Sequence, residues 1–573
     1  MEFVGDLLRK HPLLVALLTA AVLPYVIGLG DSSIWDANEA FYAETPREMI
    51  ESGDYINPSF NYYPRFNKPV LSYWAVAASY HAFGVSEFSE RIPIALSALV
   101  LIASAVWLGR LAGSYEAGLV AGLILATAPR FLMFSRRIII DMWITMFMVL
   151  TLLFFALAET SPESRTPNPE PRNSNPQSPT SNPRKKWLVL MYVAAGLGVL
   201  TKGPVAVVLP GLAFFIYLAL ERRLGDLRRL MIPSGVVIVA VIVLPWYLAL
   251  YAQHGWVHIK EFFIDENLMR YAQPVGMPRR GIWFYIPVLL TDLFPWSILL
   301  PAAAMSASAA FSRRKAAASA EDRVQRLLLV WIATIVLFFT FSRTKQDLYI
   351  FSVVPAVAAL VAGLLVRAFH GQPNTLVRSR VSLSIASADL GILGVALLAF
   401  VVVPERYPLA GSLLIALVAS AGGGLATILT LRGRVKHGTI SLASALVAMG
   451  WVFVLVTLPD FERYKPVAPL VHLIKQRATA ESRIGYYRIA LPSMAFYMRR
   501  QVFEAFDLDV LKEMFASGQE VYCLMTHEDY QSVKEVLSGP THVLASRPLF
   551  DVKIQSFLEG TELPDIVLVS NRP

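Results

Sequence analysis

The sequence predicts a polytopic α-helical membrane protein with a small α/β domain at its C-terminal end. Hydrophobic residues make up 55% of the 573 residues and charged residues only 16%, and the mean hydropathy is +0.52. Globular proteins carry about 25% charged residues. The apolar residues also form repeated runs of about 20, the length of a helix that crosses a bilayer.

About thirteen apolar segments are long enough to be spanning helices. No small-residue cleavage site follows the first segment, so we interpret it as a spanning signal anchor. Residues 70–84 are apolar but short, which indicates an interfacial or re-entrant helix. The predicted spans are 12–30, 91–111, 114–132, 138–158, 187–202, 204–220, 231–251, 284–304, 327–342, 348–367, 382–403, 411–431 and 438–458.

The distribution of basic residues predicts the orientation. When the spans alternate, the basic clusters of 9–10, 184–186, 221–229 and 432–436 fall on one side, which the positive-inside rule makes the cytoplasm. The net charge of +9 is therefore topological, and we expect no nucleic-acid partner. The single cysteine, Cys523, excludes an internal disulfide. An odd number of spans places the C-terminal segment outside.

Two domains are predicted. Residues 1–459 form the transmembrane domain, in which 31–90 is the first extracytoplasmic loop and the Pro/Ser/Asn-rich stretch 160–186 is a disordered cytoplasmic linker. Residues 460–573 form an extracytoplasmic α/β domain, because strand-like and helix-like segments alternate there. The predicted strands are 483–489, 520–525 and 565–569, and the predicted helices are 508–516 and 530–537.

The first outer loop is polar and aromatic in an otherwise apolar chain. Asp36 and Glu39, three residues apart before a plausible helix, are typical of a capping box. The alternative is that a carboxylate faces a cavity at the membrane edge, as a base, metal ligand or substrate clamp. A cap would also fix the direction of its neighbours, so both interpretations can hold.

The outer loops also contain cations, although the basic clusters that set the orientation lie in the predicted cytoplasmic loops. Arg65 and Lys68 are typical either of side chains that contact lipid head groups or of a phosphate-binding pair. Lys202 and Lys345 lie in tight outer connections, against the topological charge bias. An anionic substrate would explain cations on this face.

Other candidates are less specific. Arg137 and Asp141 have the spacing of a helix-surface ion pair, but an ionisable group at the edge of an apolar span is also a functional candidate. The loop 252–283, which includes Arg270, is typical of an interfacial amphipathic helix. His254 and His258 have the spacing of a metal pair without an evident third ligand nearby.

Ten short motifs together resemble the bacterial GT-C membrane glycosyltransferases of the protein O-mannosyltransferase superfamily, in particular the aminoarabinose lipid A transferases. The motifs are Asn38-Glu39-Ala-x-Tyr42-Ala43, Arg47-Glu48-Met49, Ser52-Gly53-Asp54, Phe66-x-Lys68-Pro69, Tyr73-Trp74, Arg137-x-x-x-Asp141, Lys202-Gly203-Pro204, Asn267-x-x-Arg270, Phe294-Pro295-Trp296 and Ser342-x-x-Lys345. The family usually has Asp-Glu where this chain has Asn38-Glu39, and often Glu where it has Asn67. These departures put the base and an aminoarabinose donor in question.

The resemblance implies an inverting transfer of a sugar from a polyprenyl-phosphate donor to lipid A or another envelope glycan at the outer face of the inner membrane, by a monomer. It implies catalytic roles for Glu39, Asp36 and Asp141, and donor-phosphate binding by Arg65, Lys68, Lys202, Lys345 and Arg270. Substrate-positioning roles fall to Asn38, Tyr42, Arg137 and Tyr349. A hydroxyl acceptor would need a general base, whereas a phosphate acceptor is already ionised and would leave the carboxylates to orient substrate or, at Glu39 and Asp141, to hold a divalent metal ion.

Other functions stay open at this point. A protein O-glycosyltransferase belongs to the same superfamily. A lipid-linked sugar flippase would favour broken helices and charges at the bilayer midplane, which the sequence does not clearly have. A membrane-anchored binding protein acting through residues 460–573 would need no cluster of charged and polar residues in the first loop.

Overall fold

The structure is a computed structural model that describes residues 9–36, 38–161, 183–269, 271, 280–312, 319–401, 409–537, 539–550 and 563–573, without the side chains of 266–268 and 309–312. A bundle of apolar helices and a C-terminal five-stranded sheet make up the described chain. The predicted fold class is confirmed in both parts.

A helix lies in every segment predicted to span the membrane. In the described ranges, eight helices are long and apolar enough to cross a bilayer, or nine if a pair bent by 114° is one span. The count of thirteen spans is therefore not confirmed, because other predicted segments form shorter apolar helices. The eight are Glu87–Ala112, Ile140–Thr160, Ile232–His254, Ala320–Thr340, Asp347–Phe369, Pro373–Val401, Ser412–Leu431 and Val435–Tyr464; the bent pair is Ile282–Asp292 and Trp296–Ser308, and the shorter ones are Pro12–Tyr25, Tyr115–Ala126 and Val205–Leu220.

Shorter elements complete the membrane domain. Helix Pro183–Lys202 occupies a further predicted span, and helix Leu71–Phe83 forms where a short interfacial or re-entrant helix was predicted. The first outer loop also contains a two-stranded antiparallel hairpin, β1 (Ser59–Phe60) and β2 (Tyr63–Pro64). The remaining helical segments are Asn38–Ser52, Pro129–Phe134, Leu224–Leu230, Val257–Lys260 and Glu261–Met269.

Ion pairs join the loops that were predicted to be cytoplasmic. Glu116 is 3.0 Å from both His370 Nε2 and Lys436 Nζ. Arg223 is 2.7 Å from Glu159 at the end of helix Ile140–Thr160. These contacts place the connected loops at one end of the bundle, as alternating spans require.

The C-terminal sheet consists of β3 (Arg483–Tyr487), β4 (Phe503–Ala505), β5 (Val521–Thr526), β6 (His542–Pro548) and β7 (Asp565–Ser570). Its strand order is β4-β3-β5-β7-β6. Strand β3 is parallel to β4 and β5, whereas β7 is antiparallel to β5 and β6. The helices of this domain are Val467–Arg477, Ser493–Met498, Leu508–Ala516 and His527–Val533.

Alternate residues of these strands face two separate hydrophobic cores. Leu524 and Leu568 belong to the core on one face of the sheet, and Cys523 and Val569 to the core on the other. The three predicted strands are confirmed, whereas β4 and β6 were not predicted.

The C-terminal domain is docked on the first outer loop. The side-chain amide of Asn61 accepts from Val502 N at 2.7 Å and donates to Val502 O at 2.8 Å. Tyr497 Oη accepts a hydrogen bond of 2.7 Å from Ile34 N. The boundary at residues 459 and 460 stays a prediction, and residues 162–182 of the predicted linker lie outside the described residues.

Candidate active site

A cavity of about 1190 Å³ lies where the helix bundle meets the first outer loop. Its walls come from distant parts of the chain: the start of helix Asn38–Ser52, the start of helix Ile140–Thr160, the Lys202 turn, and residues 338–352. Ten of the twelve predicted site residues line it. They are Asp36, Asn38, Glu39, Tyr42, Arg65, Lys68, Arg137, Asp141, Lys202 and Tyr349.

Glu39 is buried, and each of its carboxylate oxygens accepts a hydrogen bond. Its Oε1 accepts from Arg91 Nε at 2.9 Å, and its Oε2 accepts from Trp35 N at 2.7 Å. The second bond comes from Trp35 N and not from Asp36 N, which the predicted capping box would use, so the box is not formed in the predicted register. Burial alone would raise the pKa of Glu39, but the Arg91 guanidinium lowers that pKa below its ordinary value. The carboxylate is therefore held in its anionic form.

Asp36 does not complete the predicted cap. Its Oδ1 accepts a hydrogen bond of 2.9 Å from Ser493 N, so it joins the first loop to the C-terminal domain. Burial raises the pKa of Asp36 from 3.8 to about 6, against the opposing effects of the Ser493 hydrogen bonds and the Lys465 ammonium. Of these two carboxyl groups, Asp36 is the one that titrates near neutral pH.

Asp141 forms an ion pair with Lys202. The predicted helix-surface pair of Asp141 with Arg137 is wrong as a description of the structure, because the helix begins at Ile140 and Arg137 precedes it. Arg137 instead lies over two rings, with its Cζ 5.6 Å from the centroid of Trp35 and 5.3 Å from that of Phe134. Both residues still line the cavity.

Two cations of the first loop reach the cavity. The Arg65 guanidinium lies 3.8 Å from the centroid of the Phe41 ring, a cation–π contact. The Lys68 ammonium donates to Asn67 O at 2.8 Å. Both cations come from one short segment that follows β2, so the hairpin fixes where they emerge.

Aromatic rings support this polar wall. Tyr42 stacks on Tyr73 with ring centroids 5.6 Å apart, and the Lys202 ammonium lies 5.2 Å from the centroid of Tyr349. His254 and His258 do not form the metal pair that their spacing suggested. His258 stacks on Phe66 at 3.9 Å, and His254 Nε2 is 2.8 Å from Asn57 Oδ1.

Of the predicted phosphate-binding residues that the structure describes, Lys345 is not among those that line the cavity. Lys345 is buried, and its Nζ donates to Ser342 O at 2.7 Å. Arg270 lies outside the described residues.

Sequence reasoning missed part of the charge in the wall. Arg130 lines the cavity, pairs with Asp292 at 2.8 Å and also contacts Asp347. Arg280 lines it as well. Arg91 anchors Glu39 from the start of helix Glu87–Ala112. Arg91 and Arg130 were detectable as ionisable groups at the edges of apolar spans, where such groups are functional candidates.

The predicted metal ligands are arranged as partners of cations. Glu39 is occupied by Arg91 and Trp35, and Asp141 by Lys202. In the part of the chain that the structure describes, no group of three His, Cys, Asp or Glu side chains could hold a metal ion. The residues present therefore do not fit a metal site of the usual all-protein kind, and metal use stays a prediction.

Comparison with known sequences gives one family match and several relatives. A family described as dolichyl-phosphate-mannose-protein mannosyltransferase matches residues 13–263. An undecaprenyl phosphate-alpha-4-amino-4-deoxy-L-arabinose arabinosyl transferase of Pectobacterium carotovorum is 28% identical over 400 residues, which are 68% of this chain and 66% of that protein. The protein of the same name in Edwardsiella ictaluri is 29% identical, covering 60% of this chain and 58% of that protein. The chain thus spans 66% and 58% of the length of these two relatives, in each case less than two thirds.

Comparison with solved structures shows the fold. ArnT from Cupriavidus metallidurans bound to undecaprenyl phosphate superposes with a TM-score of 0.76 and 22% identity, covering 97% of each chain. The oligosaccharyltransferase of Archaeoglobus fulgidus superposes with a TM-score of 0.50 and 13% identity, covering 92% of this chain and 71% of that one.

Proposed function

We propose that this chain, which has the GT-C fold and is similar to the bacterial membrane glycosyltransferases of the protein O-mannosyltransferase superfamily, transfers a sugar from a polyprenyl-phosphate donor to lipid A. The transfer would invert the anomeric carbon and take place at the outer face of the inner membrane. One observation carries the proposal: cations and carboxylates from distant loops line a single cavity of about 1190 Å³ at one end of the bundle.

The cations of this cavity suit the departing group. In the transfer, an acceptor oxygen forms a bond to the anomeric carbon while the bond from that carbon to the donor phosphate breaks. The electron pair leaves with polyprenyl phosphate, whose growing negative charge needs preorganised cations. Lys68, Arg65 and Lys202 line the cavity and are assigned this role, and Arg280 adds a further cation to the wall. The charge of Arg130 is balanced by Asp292 and Asp347.

The bonding of Glu39 and Asp141 favours an acceptor that is already ionised, whereas Asp36, with a pKa of about 6, is the one of the three predicted catalytic carboxyl groups whose pKa suits a base. A general base needs a free oxygen and a pKa near the working pH. Glu39 has neither, since Arg91 and Trp35 occupy its two oxygens and its pKa is lowered. Asp141 is paired with Lys202. A phosphate of lipid A needs no proton removed, so these carboxylates would position substrate.

The finer assignment of an amino-pentose donor rests on the names of the relatives. The family match to a protein mannosyltransferase supports a second candidate, protein O-glycosylation. Transfer to lipid A and transfer to a protein can be distinguished by supplying both acceptors and measuring which of them gains the mass of the sugar.

The test uses the full chain in liposomes with undecaprenyl-phosphate aminoarabinose and lipid A, read by mass spectrometry. We expect the wild type to add the sugar to lipid A, and Lys68→Ala and Glu39→Gln to lower turnover by about 100-fold or more. Lys534→Ala, an exposed lysine of the C-terminal domain, is the control. Full turnover in both site variants would contradict the proposal. Donor that crosses the bilayer without chemical change would indicate a flippase.

A further inference from the structure

A second cavity, of about 860 Å³, lies between the hairpin β1–β2 and the C-terminal domain. One side is the hairpin and the segment that follows it, and the other is formed by residues 481–484 and 500–504. Strand β4 is the edge strand of the sheet on this side. Among the residues that line the cleft, Arg65 alone has an assigned role in the transfer reaction.

A specific contact joins the two walls of the cleft. Asn61 is 2% exposed, and its amide binds both the N–H and the carbonyl of Val502, next to β4. Asn61 and Tyr62 have φ angles of 55° and 64°, the left-handed region that a tight hairpin turn uses. The turn thus directs the Asn61 side chain toward the C-terminal domain, and the hairpin forms one wall of the cleft.

The lining chemistry suits a sugar. Tyr63 is 63% exposed, so its ring can stack on the apolar face of a sugar ring. Gln501 and Glu481 offer exposed hydrogen-bonding groups for hydroxyls. Arg483 and Arg500 supply positive charge for an anionic substituent, and the carboxylate of Glu504 also lines the cleft. The Arg500 guanidinium donates to the carbonyls of Thr479, Ala480 and Ser482 at 2.9 to 3.1 Å, and Arg483 Nε donates to Gln519 Oε1 at 2.7 Å.

The cleft joins the proposed donor cavity. Arg65 and Asn67 line both cavities. Arg65 Nε is buried without a hydrogen-bond partner, while the guanidinium stays against the Phe41 ring. A ligand in the cleft would therefore place one end beside the cations that face the donor.

We propose that this cleft binds the anionic sugar head group of the acceptor, with Tyr63 as the stacking surface and Arg65 at the junction with the donor cavity. The inference rests on the proposed function and adds to it a separate acceptor subsite built partly by the C-terminal domain. That domain would then be part of the substrate-binding surface.

The test uses substitutions in the cleft at residues that do not line the donor cavity. Gln501→Trp and Tyr63→Ala are compared with Gln531→Trp, which places the same ring on an exposed helix of the same domain. We expect the first two to raise the KM for lipid A by about tenfold and to leave the KM for undecaprenyl-phosphate aminoarabinose within about twofold. Binding of the deacylated lipid A head group to the full chain, measured by calorimetry, should weaken by a similar factor.

The two proposals fail in different ways. If wild type transfers the sugar, and the folded cleft variants keep the KM for lipid A and the affinity for the head group, the cleft proposal is overturned alone. An equal rise of both KM values would also overturn it. If wild type does not transfer the sugar but binds the head group, and the cleft variants weaken that binding, the transfer reaction fails and the cleft assignment holds.

Discussion

Asp36 and Glu39 lie three residues apart in the wall of the same cavity, yet their surroundings shift their pKa values in opposite directions. Glu39 has a guanidinium at 2.9 Å, whereas Asp36 accepts its hydrogen bond from a backbone amide. A nearby positive charge favours the anionic carboxylate more than a neutral donor does. Sequence spacing predicted that both residues matter, but their partners come from positions 91 and 493, which no local pattern connects to them.

Asp36 leads to a prediction about pH. Its pKa in the folded protein, about 6, lies above the ordinary 3.8, so ionisation of Asp36 disfavours the folded state. This destabilising effect is fully present above about pH 6 and disappears as the pH falls toward about 4. Asp36→Asn should therefore have a higher Tm than wild type at neutral pH, and the difference should shrink on acidification.

The measurement is the Tm of detergent-solubilised protein over this pH range. Asp54→Asn is the matched control with the opposite sign, because hydrogen bonds from Asn57 outweigh burial and lower the pKa of Asp54. Its Tm at neutral pH should fall below that of wild type. A Tm of Asp36→Asn that stays below wild type at every pH would contradict the assignment.

The ion pair of Lys202 with Asp141 gives a second prediction. The two side chains are 17% and 12% exposed, so removing one partner leaves a mostly buried charge unpaired, at a cost of about 3 kcal/mol. Lys202→Met should therefore lower the Tm, and Asp141→Leu/Lys202→Met should recover most of it. Neither variant should transfer sugar if Lys202 binds the donor phosphate. Recovery of activity together with stability would show that the pair is structural only.

The helices were predictable because the bilayer requires long apolar segments and leaves little choice of secondary structure. The strands were less predictable from the sequence. Strand β4 has three residues, too few for an alternating pattern, and β6 is half-exposed and ends at Pro548. Both lie at the edges of the sheet, where one side of the strand has no partner. The first span was predicted to residue 30, but its α-helix ends at Val22.

The hairpin β1–β2 gives a prediction for this element. Asn61→Ala removes both hydrogen bonds to Val502 and leaves buried backbone groups unpaired, so we expect a loss of about 2–4 kcal/mol in the docking of the C-terminal domain. The measurement is the rate of limited proteolysis between the domains. Asn57→Ala, which removes contacts to Asp54 and helix Ile232–His254 instead, should leave that rate near the wild-type value. Equal rates for the two variants would contradict the role of Asn61.

The charges of the molecule fall into two groups at opposite ends of the helix bundle. At one end, Glu116 and Glu159 pair with the basic residues that were predicted to be cytoplasmic. At the other end, Arg65, Lys68 and Lys202 face the large cavity. The sequence predicted this division because the positive-inside rule accounts for the first group and leaves the second unexplained. It did not predict the convergence of the second group, which depends on how the helices pack.

The orientation of this arrangement can be tested because the chain has a single cysteine, Cys523, which is buried. In a Cys523→Ala background, Lys534→Cys marks the C-terminal domain and Lys436→Cys marks the opposite end of the bundle, where Lys436 pairs with Glu116. If the positive-inside assignment holds, a membrane-impermeant maleimide should label the first variant in intact spheroplasts and the second only after permeabilisation. The reverse pattern would place the cavity in the cytoplasm, where polyprenyl-phosphate sugars of the outer leaflet could not reach it.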